Sequence, residues 1–129
     1  MRALVVDDSS AMRTILTRML RELGMEVTQA SNGREALAKI AVDGLPDVML
    51  VDWNMPEMNG LELLRTVRQE LGHRSMLMMM VTTETETAQM VKAFAAGANE
   101  YLMKPFTKEA LIEKLDLLGV DPACGKSAS

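Results

Sequence analysis

Cysteine is almost missing from this chain. Cys124 is the only one, so no disulfide can close within it, and a reducing compartment, the cytoplasm, is the simplest reading. Histidine is as scarce: His73 stands alone after Gly72 in a loop segment, and no Cys/His set occurs at ligand spacing, which disfavours a zinc site. Long apolar runs are missing too. Nothing approaches the roughly 20 residues that a membrane span requires. The opening MRALVVDDSS has a basic residue, but two aspartates stop its apolar stretch too early for a signal peptide. Nor is there an excess of positive charge. Fourteen Lys and Arg against 18 Asp and Glu leave a net charge of −4, without the electrostatic footprint of a nucleic-acid binder.

What is present is an apolar fraction of 48% in 129 residues, enough for one domain with a real core. The small and polar residues of GVDPACGKSAS favour disorder over packing. The expected organisation is a domain over 1–118 and a flexible tail over 119–129.

Short apolar runs alternate with longer amphipathic stretches. Strands are expected at Ala3–Val6, Glu26–Ala30, Asp47–Val51, Met76–Val81 and Glu100–Met103. Helices are expected at Ala11–Leu23, Arg34–Val42, Leu61–Leu71, Thr87–Ala96 and Lys108–Leu118. In the first helix Met12, Ile15, Leu16, Met19, Leu20 and Leu23 form one stripe, with Ser9 or Ser10 as its cap and Gly24 at its end. Thr107 stands where the cap of the fifth belongs. Five strand–helix repeats make a parallel sheet covered on both faces, an α/β doubly wound fold, the natural architecture. The first, third and fourth strands lack polar alternation, as strands buried on both sides do. Met76, Met78, Met79 and Met80 read as core filler.

In such folds, sites form at the carboxyl ends of the strands. The first strand ends in Asp7-Asp8, the third in Asp52, the fourth in Thr82-Thr83 and the fifth in Lys104-Pro105. A parallel sheet gathers these ends on one edge. Like charges at ~4 Å repel by about 4 kcal/mol at an effective dielectric near 20. Lys104 can offset one charge, and a hard divalent cation the rest, because all-oxygen acid clusters suit Mg2+. An aspartate beside such a cation is a candidate nucleophile toward phosphorus. Asp52 takes that role, Asp7 and Asp8 hold the cation directly or through water, and Lys104 and the Thr82 hydroxyl contact the phosphoryl oxygens. Trp53 is expected to be partly exposed beside the acids, a useful reporter.

The segments VVDDS, DWNMPEMNG, MVTTE and ANEYLMKPF, in that order, span most of the chain from Leu4 to Leu118. On them the chain resembles the response-regulator receiver domain, most closely the single-domain chemotaxis type. The resemblance implies strand order 2-1-3-4-5, with Asp52 as the phosphoacceptor of a sensor histidine kinase. It implies Mg2+ held by Asp7, Asp8, Asp52 and the backbone carbonyl of Asn54. It makes Thr82 and Tyr101 a switch pair, Lys104 the phosphate partner and Lys104-Pro105 a cis bond. Met90, Tyr101 and Lys114 would lie on the partner-binding face of the fourth helix, fifth strand and fifth helix.

The expected switch is a two-state shift. Phosphate on Asp52 draws Thr82 toward it, and Tyr101 turns inward to fill the space. Asn54, two residues after Asp52, and Glu84, two after Thr82, could flank the path of the water that removes the phosphate, and receiver domains of this type carry the same pair. With no output domain expected after the fifth helix, the output would be a partner protein, such as a flagellar motor switch, met by a monomer. The alternative is a phosphorelay intermediate that passes phosphate to a histidine phosphotransfer protein. A haloacid-dehalogenase-type phosphatase would need an aspartate where Asn54 stands. A flavodoxin-type site would place its phosphate against Asp7-Asp8, which repel it.

Overall fold

The computed structural model describes residues 1–73, 75–83 and 86–120. The strands are β1 (Arg2–Val6), β2 (Glu26–Ala30), β3 (Val48–Val51), β4 (Leu77–Thr82) and β5 (Glu100–Met103). The α-helices are α1 (Ser10–Glu22), α2 (Gly33–Asp43), α3 (Gly60–Arg65), α4 (Thr87–Ala96) and α5 (Lys108–Leu117). The sheet runs β2-β1-β3-β4-β5 with every neighbouring pair parallel, the doubly wound order expected above.

Alternation along the strands divides the apolar side chains between two cores. Leu4, Val6, Met49, Val51, Met78 and Met80 join the core that includes residues of α2, α3 and α4. Ala3, Val5, Val48, Leu50, Met79 and Val81 join the core of α1 and α5. Met78, Met79 and Met80 are fully buried and Met76 is buried as well, as core filler should be. Register places Val6 beside Val51, Val51 beside Met80 and Met80 beside Tyr101. The chain therefore leaves β1, β3, β4 and β5 close together on one edge, and Asp7 and Asp52 each stand one residue past that row.

Local chemistry sets the helix ends. Side chains of Ser9, Asn32, Asn59 and Thr107 accept bonds from the backbone amides of Met12, Glu35, Glu62 and Ala110, satisfying amides that the first turn leaves unpaired. At α3 the cap is reciprocal, because the Glu62 carboxylate also accepts from the Asn59 amide.

Three details depart from the sequence expectation. The third helix does not run as α-helix to Leu71; after Arg65 it widens into a π turn over Thr66–Glu70, which carries the buried Arg68. Trp53 is only 8% exposed and belongs to the α2–α3–α4 core rather than to the rim, because the chain turns inward after Asp52. Packing also continues past Leu118: the Val120 amide donates to the Leu115 carbonyl and its side chain is buried against the α1–α5 core. Residues 121–129, with Cys124, lie outside the described residues. Among the described residues no helix is long and apolar enough to cross a membrane.

Candidate phosphoryl and cation site

Asp7 leaves β1 with its amide bonded to the Ala30 carbonyl, and Asp52 leaves β3 with its amide bonded to the Val6 carbonyl. These bonds extend the sheet ladder by one rung and hold the two carboxylates side by side. Both residues are buried, at 2% and 6% exposure, whereas Asp8 is exposed. Asp7, Asp8 and Asp52 each present a carboxylate oxygen within 4.8 Å of the others. Three hard oxygen donors converging on one point fit a hydrated Mg2+ and suit a soft metal poorly.

Lys104 arrives from the end of β5, its amide bonded to the Thr82 carbonyl. Its ammonium donates to Asp7 Oδ2 at 2.9 Å and lies 3.5 Å from Asp52 Oδ1. The Lys104-Pro105 peptide bond is cis. Asp7 is further fixed by the Ser9 amide, which donates to Oδ1 at 2.8 Å. The Arg13 guanidinium reaches back from α1 to the Asp7 carbonyl at 2.6 Å.

Asp52 is held apart from its neighbours in acidity. Burial, reinforced by the negative charge of Asp7, pushes its carboxyl up to about 6, against the opposing pull of Lys104 and of the Asn54 backbone amide. Loss of hydration is costlier to the charged form than one ammonium at 3.5 Å can repay. The result is a poorly solvated carboxylate with an ammonium alongside, and a bound cation would favour its anionic form.

Thr82 ends β4 fully buried. Tyr101 lies opposite Met80, two residues before Thr82, so Thr82 and Tyr101 are diagonal neighbours on the same face of the sheet. The Tyr101 ring is 4% exposed, with its centroid 6.4 Å from that of Phe94. It is therefore already turned inward, the position expected of the phosphorylated state. Asn54 is exposed beside Asp52. Glu84 lies outside the described residues. Met90 and Lys114 are half-buried on α4 and α5, and the Lys114 ammonium contacts Glu100 at 3.1 Å.

Two contributors were missed from sequence. At Gly60, the first residue of α3, a Cβ would collide with the Asp52 carbonyl oxygen and come within 3.0 Å of Trp53 Cα. The absence of a side chain there lets the helix start against the acid-bearing loop. The signal that could have revealed it is the Asn59–Glu62 capping box, which marks where the helix begins. The second is Arg13, whose place one turn into α1 puts it within reach of the β1 end.

The response regulator receiver domain family matches residues 3–116. The chain is 44% identical over 119 residues to "Chemotaxis protein CheY1" of Helicobacter pylori, covering 92% of this chain and 96% of that protein. It is 48% identical over 121 residues to "Chemotaxis protein CheY homolog" of Campylobacter jejuni, covering 92% and 93%. Among solved structures, the chemotaxis protein CheY4 of Vibrio cholerae superposes with a TM-score of 0.84 at 38% identity, covering 91% of this chain and 97% of that one.

Proposed function

Because this chain belongs to the response regulator receiver domain family, we propose that it is a chemotaxis response regulator that accepts a phosphoryl group on Asp52 and signals by a change of surface. The observation that carries this reading is the buried Asp52 carboxylate, pushed up to about 6, converging with Asp7, Asp8 and Lys104. The names of its relatives favour chemotaxis over the phosphorelay alternative.

An Asp52 oxygen attacks phosphorus of a histidine kinase's phosphohistidine or of a small acyl phosphate. The P–N or P–O bond of the donor breaks, and the leaving group departs with its electron pair. Asp7, Asp8, Asp52 and the Asn54 carbonyl would hold Mg2+, which would supply neutralisation of the phosphoryl charge. Lys104 and the Thr82 hydroxyl stabilise the transferred group, and Asp7 fixes where the ammonium points. Asn54 and Glu84 tune the return step, in which water attacks phosphorus and restores the carboxylate. The chain thus promotes its own phosphorylation and dephosphorylation without turning over a substrate as an enzyme does.

Thr82 bonded to the new phosphoryl oxygens favours the inward Tyr101 and the face of α4, β5 and α5 that goes with it. Met90 and Lys114 lie there, with Phe94 43% and Met103 44% exposed. That apolar surface suits a protein partner of the flagellar-switch kind. The chain works in the cytoplasm as a monomer, between a sensor histidine kinase and that partner.

Trp53, buried next to Asp52, reports on the loop. Titration of Mg2+ followed by beryllofluoride should change its fluorescence in wild type, and Asp52→Asn should lose the beryllofluoride step. A response that survives Asp52→Asn would place the anion elsewhere and end this reading.

A further inference from the structure

Arg68 is a charged residue held inside the protein at 8% exposure, and nothing in the phosphoryl site uses it. Its partners are polar but uncharged. Nε and Nη2 both donate to the Gly97 carbonyl, at 3.1 and 2.9 Å. Nη1 donates to the His73 carbonyl at 2.7 Å, and Nη2 also to Asn99 Oδ1 at 2.8 Å. The same Asn99 oxygen accepts from the Met78 amide at 2.8 Å, so the network reaches the start of β4.

Gly97 is the residue that ends α4. It is left-handed at φ +114°, and its amide bonds back into the last turn, as does that of Ala98 to the Ala93 carbonyl. A Cβ on Gly97 would lie 2.6 Å from Arg68 Cγ, so the guanidinium arm fills the space that a side chain would need. The cation meets the negative end of the helix, where a positive charge is favourable.

The opposite end of α4 is built differently. Ser9, Asn32, Asn59 and Thr107 cap α1, α2, α3 and α5, but the Glu86 side chain makes no capping bond to α4. That end lies toward the edge that bears Asp52 and Thr82. Helix α4 is thus pinned by a fork of charge-assisted bonds at the end remote from the acids, while among the described residues its near end shows no side-chain cap.

The geometry points to Arg68 as a positioning residue that makes the C-terminal end of α4 a fixed pivot, so that the change begun at Asp52 moves only the N-terminal turns of this helix. The idea rests on the receiver reading above for its trigger, while the clamp itself exists without any phosphoryl chemistry.

Amide hydrogen exchange of the full chain tests both parts. In metal-free protein, Arg68→Gln should speed exchange at Gly97, Ala98 and Asn99 by about tenfold or more, with little change in α1 or α5. Arg68→Lys should restore part of the protection. If Arg68→Gln does not fold, Asn99→Ala, which removes one partner and keeps the charge, should speed the same amides to a smaller degree. With Mg2+ and beryllofluoride, wild type should change exchange near Gln89 and Met90 and leave Gly97 to Asn99 unaltered. In the Arg68 or Asn99 variant, the ligand effect should spread to the C-terminal end.

Unchanged exchange at Gly97 to Asn99 in the metal-free variants would remove the clamp. A ligand effect along the whole of α4 in wild type would remove the pivot and leave the clamp as packing. A wild type silent to beryllofluoride in Trp53 fluorescence as well would overturn the receiver reading and the pivot with it, whatever the metal-free exchange shows.

Discussion

The Lys104 ammonium is hydrogen-bonded to Asp7, Nζ to Oδ2 at 2.9 Å, across 97 residues of sequence. Asp52, the carboxylate proposed to react, has the longer contact of 3.5 Å. The lysine is therefore committed first to the neighbour of the nucleophile. Asp7 is kept paired, while Asp52 retains an oxygen that can turn toward phosphorus.

Removing that pairing should be costly. Lys104→Ala leaves Asp7 buried without its cation, and breaking a buried pair from one side costs about 3 kcal/mol. Mg2+ should recover part of the loss, and with the repelling ammonium gone it should bind more tightly than in wild type. Urea unfolding with and without Mg2+ measures both effects. Equal stability of the two proteins without metal would show that Asp7 does not depend on the lysine.

Asp52 should destabilise the metal-free protein at neutral pH. Its folded carboxyl sits at about 6 against an ordinary value of 3.8, so the folded state holds the proton more tightly than the unfolded chain does. The resulting stability is complete below about 3.8 and is lost as pH rises through 6. The loss is on the order of 3 kcal/mol at pH 8. Asp52→Asn should therefore raise the unfolding free energy at pH 8 by an amount that shrinks toward zero near pH 4. A gain that does not vary with pH would assign the effect to packing. The same protonation should weaken Mg2+ binding in wild type as pH falls below 6.

Much of this site could be read from the chain because strand ends in a parallel sheet must meet. Asp7, Asp52, Thr82 and Lys104 each close an apolar run, and β2, β5 and α4 have the bounds that their patterns suggest. Other features depend on contacts between distant segments. Trp53 follows an acid and precedes a polar turn, so only the inward course of the loop reveals its burial. Arg68 continues the stripe of Leu61 and Leu64, where charge ordinarily points to solvent. Its burial depends on the Gly97 and His73 carbonyls, which no local pattern announces. Val120 looks like the start of a loose tail, yet it finds a place beside Leu115.

Gly60 should tolerate no side chain. Gly60→Ala drives a methyl group into the Asp52–Trp53 backbone, and overpacking of this kind costs about 2 kcal/mol. Because the displaced atoms belong to Asp52 and Trp53, the Trp53 response to beryllofluoride should weaken as well. A destabilised variant with an unaltered response would show that the helix start supports the fold and not the site.

Glu57 is held at φ +67°, a left-handed conformation that side chains other than Asn and Asp adopt with strain. Its 3.7 Å contact with Arg34 is exposed on both sides and contributes little. Glu57→Asn should therefore stabilise the protein by about 1 kcal/mol. Thermal unfolding checks this, and a loss of stability would mean that the pair with Arg34 outweighs the strain.

Asp52 is proposed to carry a phosphoryl group for part of its working life. The most direct measurement is intact mass and peptide mapping after incubation with Mg2+ and acetyl phosphate, in wild type and Asp52→Asn. One added phosphoryl group is expected, located at Asp52, dependent on Mg2+ and absent from Asp52→Asn. No uptake in wild type, or equal uptake in Asp52→Asn, would contradict it.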